Sequence, residues 1–75
     1  MNKQTLTDEQ ISDVKQFQRN EITEYHIYKK LAKKVKADNA KVLDDIAEDE
    51  LRHYYFWRGY SGAEIRPNKW KVFKF

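Results

Sequence analysis

Four side chains that can bind a metal ion occupy sequence positions where hydrophobic residues are expected. Glu21 and Glu24 interrupt one helical pattern, and Glu50 and His53 interrupt the next. The members of each pair are three residues apart, so both side chains of a pair project from one face of a helix. Carboxylates that leave water without a counter-ion are costly, and a divalent cation reverses that cost. The sequence therefore predicts a metal site formed by these four residues.

The donor types narrow the choice of metal. Carboxylate oxygen and imidazole nitrogen suit iron, manganese or zinc at bond lengths of about 2.0 to 2.2 Å. The sequence contains no cysteine, which excludes disulfides and thiolate-bound zinc or iron. Carboxylates also bridge two ions about 4 Å apart, as two-metal chemistry requires. We expect Glu21, Glu50 and His53 to be ligands. Three roles are open for Glu24: a further ligand, an acceptor of a hydrogen bond from a ligand, or a solvated residue.

The first pair requires a long helix from about residue 7 to about residue 36. Thr7 and Gln10 form a capping box at its start, and the residues before Thr7 are expected to be frayed. Spacings of three and four residues then recur, which is typical of one amphipathic face. This stripe consists of Val14, Phe17, Glu21, Glu24, Tyr28, Leu31 and Val35. We expect Tyr28 to be a core aromatic residue whose hydroxyl contacts a ligand carboxylate.

The second pair requires a helix from about residue 39 to about residue 61. Asp38 or Asn39 is expected to cap its start, and Gly62 to end it in the left-handed conformation. Its stripe has the same spacing and consists of Leu43, Ile46, Glu50, His53, Trp57 and Tyr60. The tail, 62–75, fits both the start of a third helix and an extended arm.

A short turn between the helices predicts an all-α antiparallel hairpin. Both helices rise at the same rate, so residues equally distant from about position 37 lie opposite each other. Glu21 then faces His53, and Glu24 faces Glu50. One hairpin supplies only three carboxylates and one histidine. Two hairpins related by a two-fold axis would double that number and close a four-helix bundle.

Size and charge limit the remaining functions. The 75 residues form a single domain, 1–75, small enough to need a partner or a metal for stability. The net charge of +3 comes from 15 basic and 12 acidic residues, a balance that does not indicate nucleic-acid binding. No apolar run reaches the roughly 20 residues that span a bilayer, and the N-terminus is not signal-like. We therefore expect a cytoplasmic protein without membrane contact.

Lysine residues crowd the end of the first helix, and aromatic residues crowd the second helix and the tail. The lysines are Lys29, Lys30, Lys33, Lys34 and Lys36. A solvated face explains them most simply, and an anionic partner or a membrane surface is the alternative. The aromatic residues are Tyr54, Tyr55, Phe56, Trp57, Trp70, Phe73 and Phe75. They exceed what one partner helix covers, which indicates an association surface.

The metal-binding motifs carry a resemblance to a known family. Glu21 followed by Tyr28, and then Glu50-Leu-Arg-His53 on the next helix, resembles the half-bundle signature of the rubrerythrin and ferritin-like di-iron carboxylate superfamily. Sites of that kind combine a glutamate from each of two helices with Glu-x-x-His from each of the other two. The run from Phe17 through Gly62 looks closest to the rubrerythrin-like domain that precedes the membrane part of some vacuolar-iron-transporter-type proteins, and the resemblance covers about Phe17 to Lys71. Such domains hold two hairpins in one chain, whereas this sequence supplies one, as a half-bundle or a fragment.

The resemblance implies an oxidoreductase that oxidises ferrous iron or reduces dioxygen or peroxide. It implies two iron ions per dimer site, with manganese or zinc as alternatives, and Glu24 is similar to the additional glutamate of rubrerythrins. The implied assembly is a homodimer or a higher homo-oligomer that forms a ferritin-like four-helix bundle. A non-catalytic iron-binding or metal-delivery module has the same ligands, because ligand type does not report turnover. A third interpretation is an oligomerisation hairpin whose polar residues only fix the register.

Overall fold

Two long antiparallel helices dominate the computed structural model, which describes residues 6–75. The helices are α1 (Asp8–Ala32), α2 (Ala37–Ser61) and the short α3 (Lys69–Phe73). No strand occurs in the described part of the chain, so the expected all-α hairpin is confirmed. The expected fraying before Thr7 concerns mainly residues 1–5, which lie outside the described range. Within residues 6–75, no helix combines the length and the apolar character needed to cross a membrane.

Helix α1 begins as predicted and ends earlier than predicted. The Gln10 amide donates to Oγ1 of Thr7 at 3.1 Å, and the Thr7 amide donates to Oε1 of Gln10 at 2.9 Å, which completes the capping box. The helix ends at Ala32, four residues before the expected position 36. Ala32 is the last buried residue of α1, and Val35 beyond it is exposed. Without tertiary packing, the lysine-rich end does not continue as a helix.

Helix α2 starts at Ala37, two residues before the predicted start. The N-cap is Lys36, which has an extended backbone and makes no side-chain capping bond. The expectation that Asp38 or Asn39 caps this helix is therefore wrong. Asp38 lies instead in the first helical turn, where its charge interacts favourably with the positive end of the helix dipole.

The end of α2 and the conformation of the tail follow from two local signals. Gly62 adopts the left-handed conformation, with φ of 67°, and its amide donates to the Arg58 carbonyl at 2.9 Å. Asn68 then caps α3, because its side chain accepts a hydrogen bond from the Lys71 amide at 3.1 Å. The two open alternatives for the tail are thus resolved: residues 63–68 form neither helix nor strand, and a short third helix follows.

The predicted register of the hairpin is confirmed by three contacts along its length. Nζ of Lys29 lies 3.1 Å from Oδ1 of Asp44 near the turn. In the middle, Nδ1 of His53 lies 3.1 Å from Oε2 of Glu21. Further from the turn, the rings of Phe17 and Trp57 are 5.1 Å apart. Each pair is centred close to position 37, because residues of antiparallel helices stay paired along their length.

The buried core does not coincide with the predicted stripe of α1. Among the described residues, the buried positions of the two long helices are Val14, Gln18, Thr23, Ile27, Ala32, Ala47 and Tyr54. Only Val14 belongs to the stripe, and Phe17 and Val35 are exposed. The stripe lies along one edge of the contact between α1 and α2, so it is half-covered in the hairpin.

The tail returns along α1 and attaches through polar bonds. Thr23 Oγ1 accepts a hydrogen bond from the Asn68 amide at 2.8 Å, and Lys30 Nζ donates to the Val72 carbonyl at 3.0 Å. On a helical wheel, Thr23 and Lys30 lie on the side of α1 away from α2. The tail therefore packs beside α1 and leaves the face that carries the glutamates open.

A fully buried glutamine joins α1, the end of α2 and the tail. Nε2 of Gln18 donates to the Ala63 carbonyl at 2.8 Å, and the Ser61 hydroxyl donates to Oε1 of Gln18. The Ser61 hydroxyl also accepts a hydrogen bond from the Ala63 amide at 3.1 Å. This network satisfies the buried polar groups at the point where the chain leaves α2.

We predict that Gln18→Ala destabilises the hairpin by about 2 kcal/mol, because it leaves the Ala63 carbonyl unpaired and removes packed volume. Urea denaturation followed by circular dichroism measures this loss. Gln16→Ala is the matched control: Gln16 is exposed and, within residues 6–75, its side chain bonds only Asn20 on the same helix, so a change of about 0.5 kcal/mol or less is expected. Equal effects of the two substitutions would contradict the role assigned to Gln18.

Candidate metal centre

Three of the four predicted ligands meet in the middle of the hairpin. Nδ1 of His53 lies 3.1 Å from Oε2 of Glu21 and 3.2 Å from Oε1 of Glu50. One donor atom from each residue lies within 4.8 Å of the other two. This is the one group of three or more potential metal-binding side chains within residues 6–75 that is this close.

The helices place these donors by spacing and by register. Glu50 and His53 are three residues apart on α2, so they lie one above the other on the same face. Glu21 reaches them from α1 because it stands at the height of His53 in the antiparallel pair. Both carboxylates are largely buried, with 19% and 14% of the side chain exposed for Glu21 and Glu50. The imidazole of His53 is 57% exposed and forms the rim of the group.

Burial and the interaction with His53 have opposite effects on the pKa of Glu21. Burial raises the pKa of Glu21 above its usual value, and the charge of Glu24 adds to this effect. The positive charge and the hydrogen bond of His53 lower the pKa and offset part of the rise. In the metal-free hairpin, His53 is therefore the partner that stabilises the Glu21 carboxylate.

Glu24 lies outside the three-residue group but interacts with it. A hydrogen bond between the Glu24 and Glu50 carboxyl groups raises the pKa of Glu24 to about 7, and burial acts in the same direction. The negative charge of Glu50 also raises this pKa, whereas Lys71 on α3 lowers it. A cation that binds beside Glu24 would displace the proton that this raised pKa retains.

The donor set fits a hard or intermediate divalent cation. Ligands at about 2.1 Å from one ion are separated from each other by roughly 3 to 3.5 Å. The separations from Nδ1 of His53 to the two carboxylates fall in that range. Carboxylate and imidazole donors without thiolate favour iron, manganese or zinc over soft metals. Three protein ligands leave coordination positions open for further carboxylates, water or a substrate.

The glutamates open onto a cleft that also has aromatic walls. The cleft measures about 300 Å³ and is lined by Phe17, Asn20, Glu21, Glu24 and Trp57. Phe17 and Trp57 pack against each other across the two helices with ring centroids 5.1 Å apart. Next to it, a second and more apolar cleft of about 280 Å³ involves Phe17, Trp57 and Tyr60. The glutamates thus lie beside apolar surface that is accessible in the hairpin.

Tyr28 and Lys71 lie beside the site, and the sequence predicted a role there for Tyr28 alone. Tyr28 is half-buried on α1, and no hydrogen bond from its hydroxyl to a ligand carboxylate occurs within residues 6–75, so its contact with the ligands stays a prediction. Lys71 was not anticipated, because it belongs to the tail, 47 residues after Glu24. No pattern in the sequence indicates that α3 places the charge of Lys71 near Glu24.

Comparisons of this chain with protein-family models, with curated proteins and with solved structures gave no match. The resemblance to rubrerythrins thus remains a prediction based on the residues quoted above.

We predict that the metal-free protein loses stability as the pH rises from about 4.5 to about 7. The folded state keeps a proton on Glu24 that the unfolded chain releases above its ordinary pKa of 4.5, so folding becomes less favourable across that interval. Glu24→Gln removes this dependence and raises the melting temperature at neutral pH more than at acidic pH. Thermal unfolding in the presence of a chelator, across a pH series, measures both effects.

The exposed Glu48 supplies the control, since Glu48→Gln leaves the Glu24 and Glu50 pair intact. Parallel pH profiles for the Glu24→Gln variant and the unsubstituted protein would show that Glu24 does not retain its proton in the folded state.

Proposed function

We propose that this chain is a di-metal carboxylate protein that dimerises into a four-helix bundle and binds iron between the subunits. The observation that carries the proposal is the convergence of Glu21, Glu50 and His53, with Nδ1 of His53 within 3.2 Å of a carboxylate oxygen from each helix. Two largely buried carboxylates with oxygens within 4.8 Å of each other are unfavourable without a cation. A bound cation would convert that repulsion into attraction.

The number of ligands supports a site shared between two copies. One hairpin offers two close carboxylates, one histidine and the neighbouring Glu24, which is too few donors to enclose two ions. A two-fold axis facing the stripe would bring a second identical set opposite the first. The resemblance to ferritin-like sites, which combine four helices, supports the same arrangement.

The exposed apolar residues support the second copy. The ligand face extends above and below the glutamates with Phe17, Val35, Val42, Phe56 and Tyr60, all at least 41% exposed. Spacings of three and four residues place them along the same side of the two helices as the ligands. The tail does not cover this side, because it packs beside α1 through Thr23 and Lys30. A surface of this kind is typical of a helix-bundle interface.

The proposed activity is the oxidation of ferrous iron or the reduction of dioxygen or peroxide. Two ferrous ions bound between the subunits would supply the electrons for that reaction. Glu21, Glu50 and His53 would hold the ions, and Glu24 would release its proton as a cation approaches Glu50. Phe17 and Trp57 would restrict the access of water on one side of the site. The alternative function is a non-catalytic iron-binding or metal-delivery module, which the same ligands serve.

We predict that aerobic addition of ferrous iron gives ferric absorbance faster than the buffer alone, with two ions per dimer. Glu50→Ala removes a carboxylate that contacts His53 and should abolish both stoichiometric binding and the rate increase. Glu48→Ala is the matched control on the same helix, since Glu48 is exposed and lies outside the ligand group. Metal analysis and stopped-flow absorbance on the same samples provide the two readouts.

The two functions give different results in this experiment. Stoichiometric binding that depends on Glu50, without faster oxidation, would favour the delivery module. Absence of stoichiometric iron, manganese and zinc in the unsubstituted protein would leave only the oligomerisation hairpin.

We predict that the protein sediments as a dimer, and that metal strengthens the dimer because the ligands come from both subunits. Val42→Asp places a charge in the exposed apolar part of the ligand face and should shift the protein to a monomer while its helical content is kept. Tyr55→Asp is the control, because Tyr55 is equally exposed but lies on a different side of α2. A monomer that binds two ions tightly would exclude the shared site.

A further inference from the structure

The most exposed large hydrophobic side chains within residues 6–75 are both on α3. Trp70 is 79% exposed and Phe73 is 75% exposed. Their rings contact each other edge-on, with centroids 6.5 Å apart and planes at 82°. They lie on the short third helix beside α1, so they are separate from the ligand face. Two protruding aromatic residues at one point of a small protein indicate a contact surface.

Side chains of α1 fix the position of α3. Nζ of Lys30 donates to the carbonyls of Val72 and Phe73 at 3.0 and 3.3 Å, and Nζ of Lys34 donates to the Phe75 carbonyl. These ammonium groups satisfy carbonyls at the end of α3 and complement the negative end of its dipole. Val72 is half-buried, whereas Trp70 and Phe73 are exposed.

The same contacts gather positive charge around the two rings. Lys69, Lys71 and Lys74 belong to α3 or follow it directly, and Lys30 and Lys34 join them from α1. Nζ of Lys30 lies 6.0 Å from the centre of the Phe73 ring. None of these five lysines forms a salt bridge with an acidic side chain among the described residues, whereas Lys29 and Lys41 each do. We call this surface the basic aromatic corner.

The shape and charge of this corner favour a lipid surface over other anionic partners. Aromatic residues surrounded by lysine side chains are typical of proteins that lie at the interface of an anionic bilayer. The rings protrude and meet edge-on, whereas bases of single-stranded nucleic acid stack on ring faces within a basic groove. A second copy bound through the same corner would place lysines against lysines.

We propose that the basic aromatic corner binds the surface of membranes that contain anionic phospholipid. Trp70 and Phe73 enter the headgroup region, and the five lysines contact phosphate and carboxylate groups of the lipids. At the sequence level the lysines of α1 alone favoured a solvated face. The structure changes that interpretation because it adds the lysines and rings of α3 to the same corner.

Cosedimentation with vesicles tests the proposal on the full chain. The protein should bind vesicles of phosphatidylserine and phosphatidylcholine, bind vesicles of phosphatidylcholine alone far more weakly, and lose binding as salt is added. Lys69→Gln with Lys74→Gln should weaken binding more than tenfold, at about fivefold for each lysine. Lys15→Gln with Lys41→Gln changes the net charge equally at exposed positions outside the corner, and should have a much smaller effect.

The aromatic contribution is tested in the same way. Trp70→Ser with Phe73→Ser should weaken vesicle binding at least tenfold, whereas Tyr55→Ser, also an exposed aromatic position, should not. Equal binding to neutral vesicles, or equal loss with the two lysine pairs, would overturn the proposal. So would a change in sedimentation of the Trp70 and Phe73 variant without lipid, or preferred binding of a single-stranded oligonucleotide that competes with the vesicles. Circular dichroism of each variant confirms that the helices are retained.

Discussion

The concentration of carboxylates between α1 and α2 is the constraint on which the rest of the structure depends. Glu21 and Glu50 approach from opposite helices and are largely buried, and Glu24 beside Glu50 has a raised pKa. Such a group destabilises a hairpin of this size unless cations compensate it. His53 supplies partial compensation in the metal-free protein, and its exposed position keeps the group accessible. The middle of the hairpin thus depends on a positively charged partner.

The remaining contacts divide the surface of α1 into three parts. One side packs on α2 around Val14 and Gln18, and the opposite side holds the tail through Thr23 and Lys30. The third side carries the glutamates and exposed apolar residues. Because the tail is attached by polar bonds to its own side, it does not compete for the ligand face. This division leaves one surface for the proposed dimer and another, at α3, for the proposed lipid contact.

Several features of the fold were predictable from short-range signals. The capping box at Thr7 and the left-handed Gly62 involve residues within four positions of each other, so local pattern is sufficient. The end of α1 was not predictable in this way, since the pattern continued to Val35 but Val35 is exposed in the folded hairpin. The predicted N-cap of α2 was also wrong. Asp38 and Asn39 are residue types that favour the N-cap position, but the tight turn after Ala32 places the N-cap at Lys36.

The sequence by itself determined the pairs of ligands and their register. Helical spacing places Glu50 beside His53, and equal rise along two antiparallel helices places Glu21 opposite, so both follow from geometry that does not depend on packing. Only the tertiary structure decided which faces are covered. Gln18 became the buried centre and Phe17 stayed exposed, because the relative rotation of the helices and the path of the tail select the buried side. Lys71 near Glu24, and Lys30 beneath Phe73, are contacts over more than 40 residues that spacing along the chain does not report.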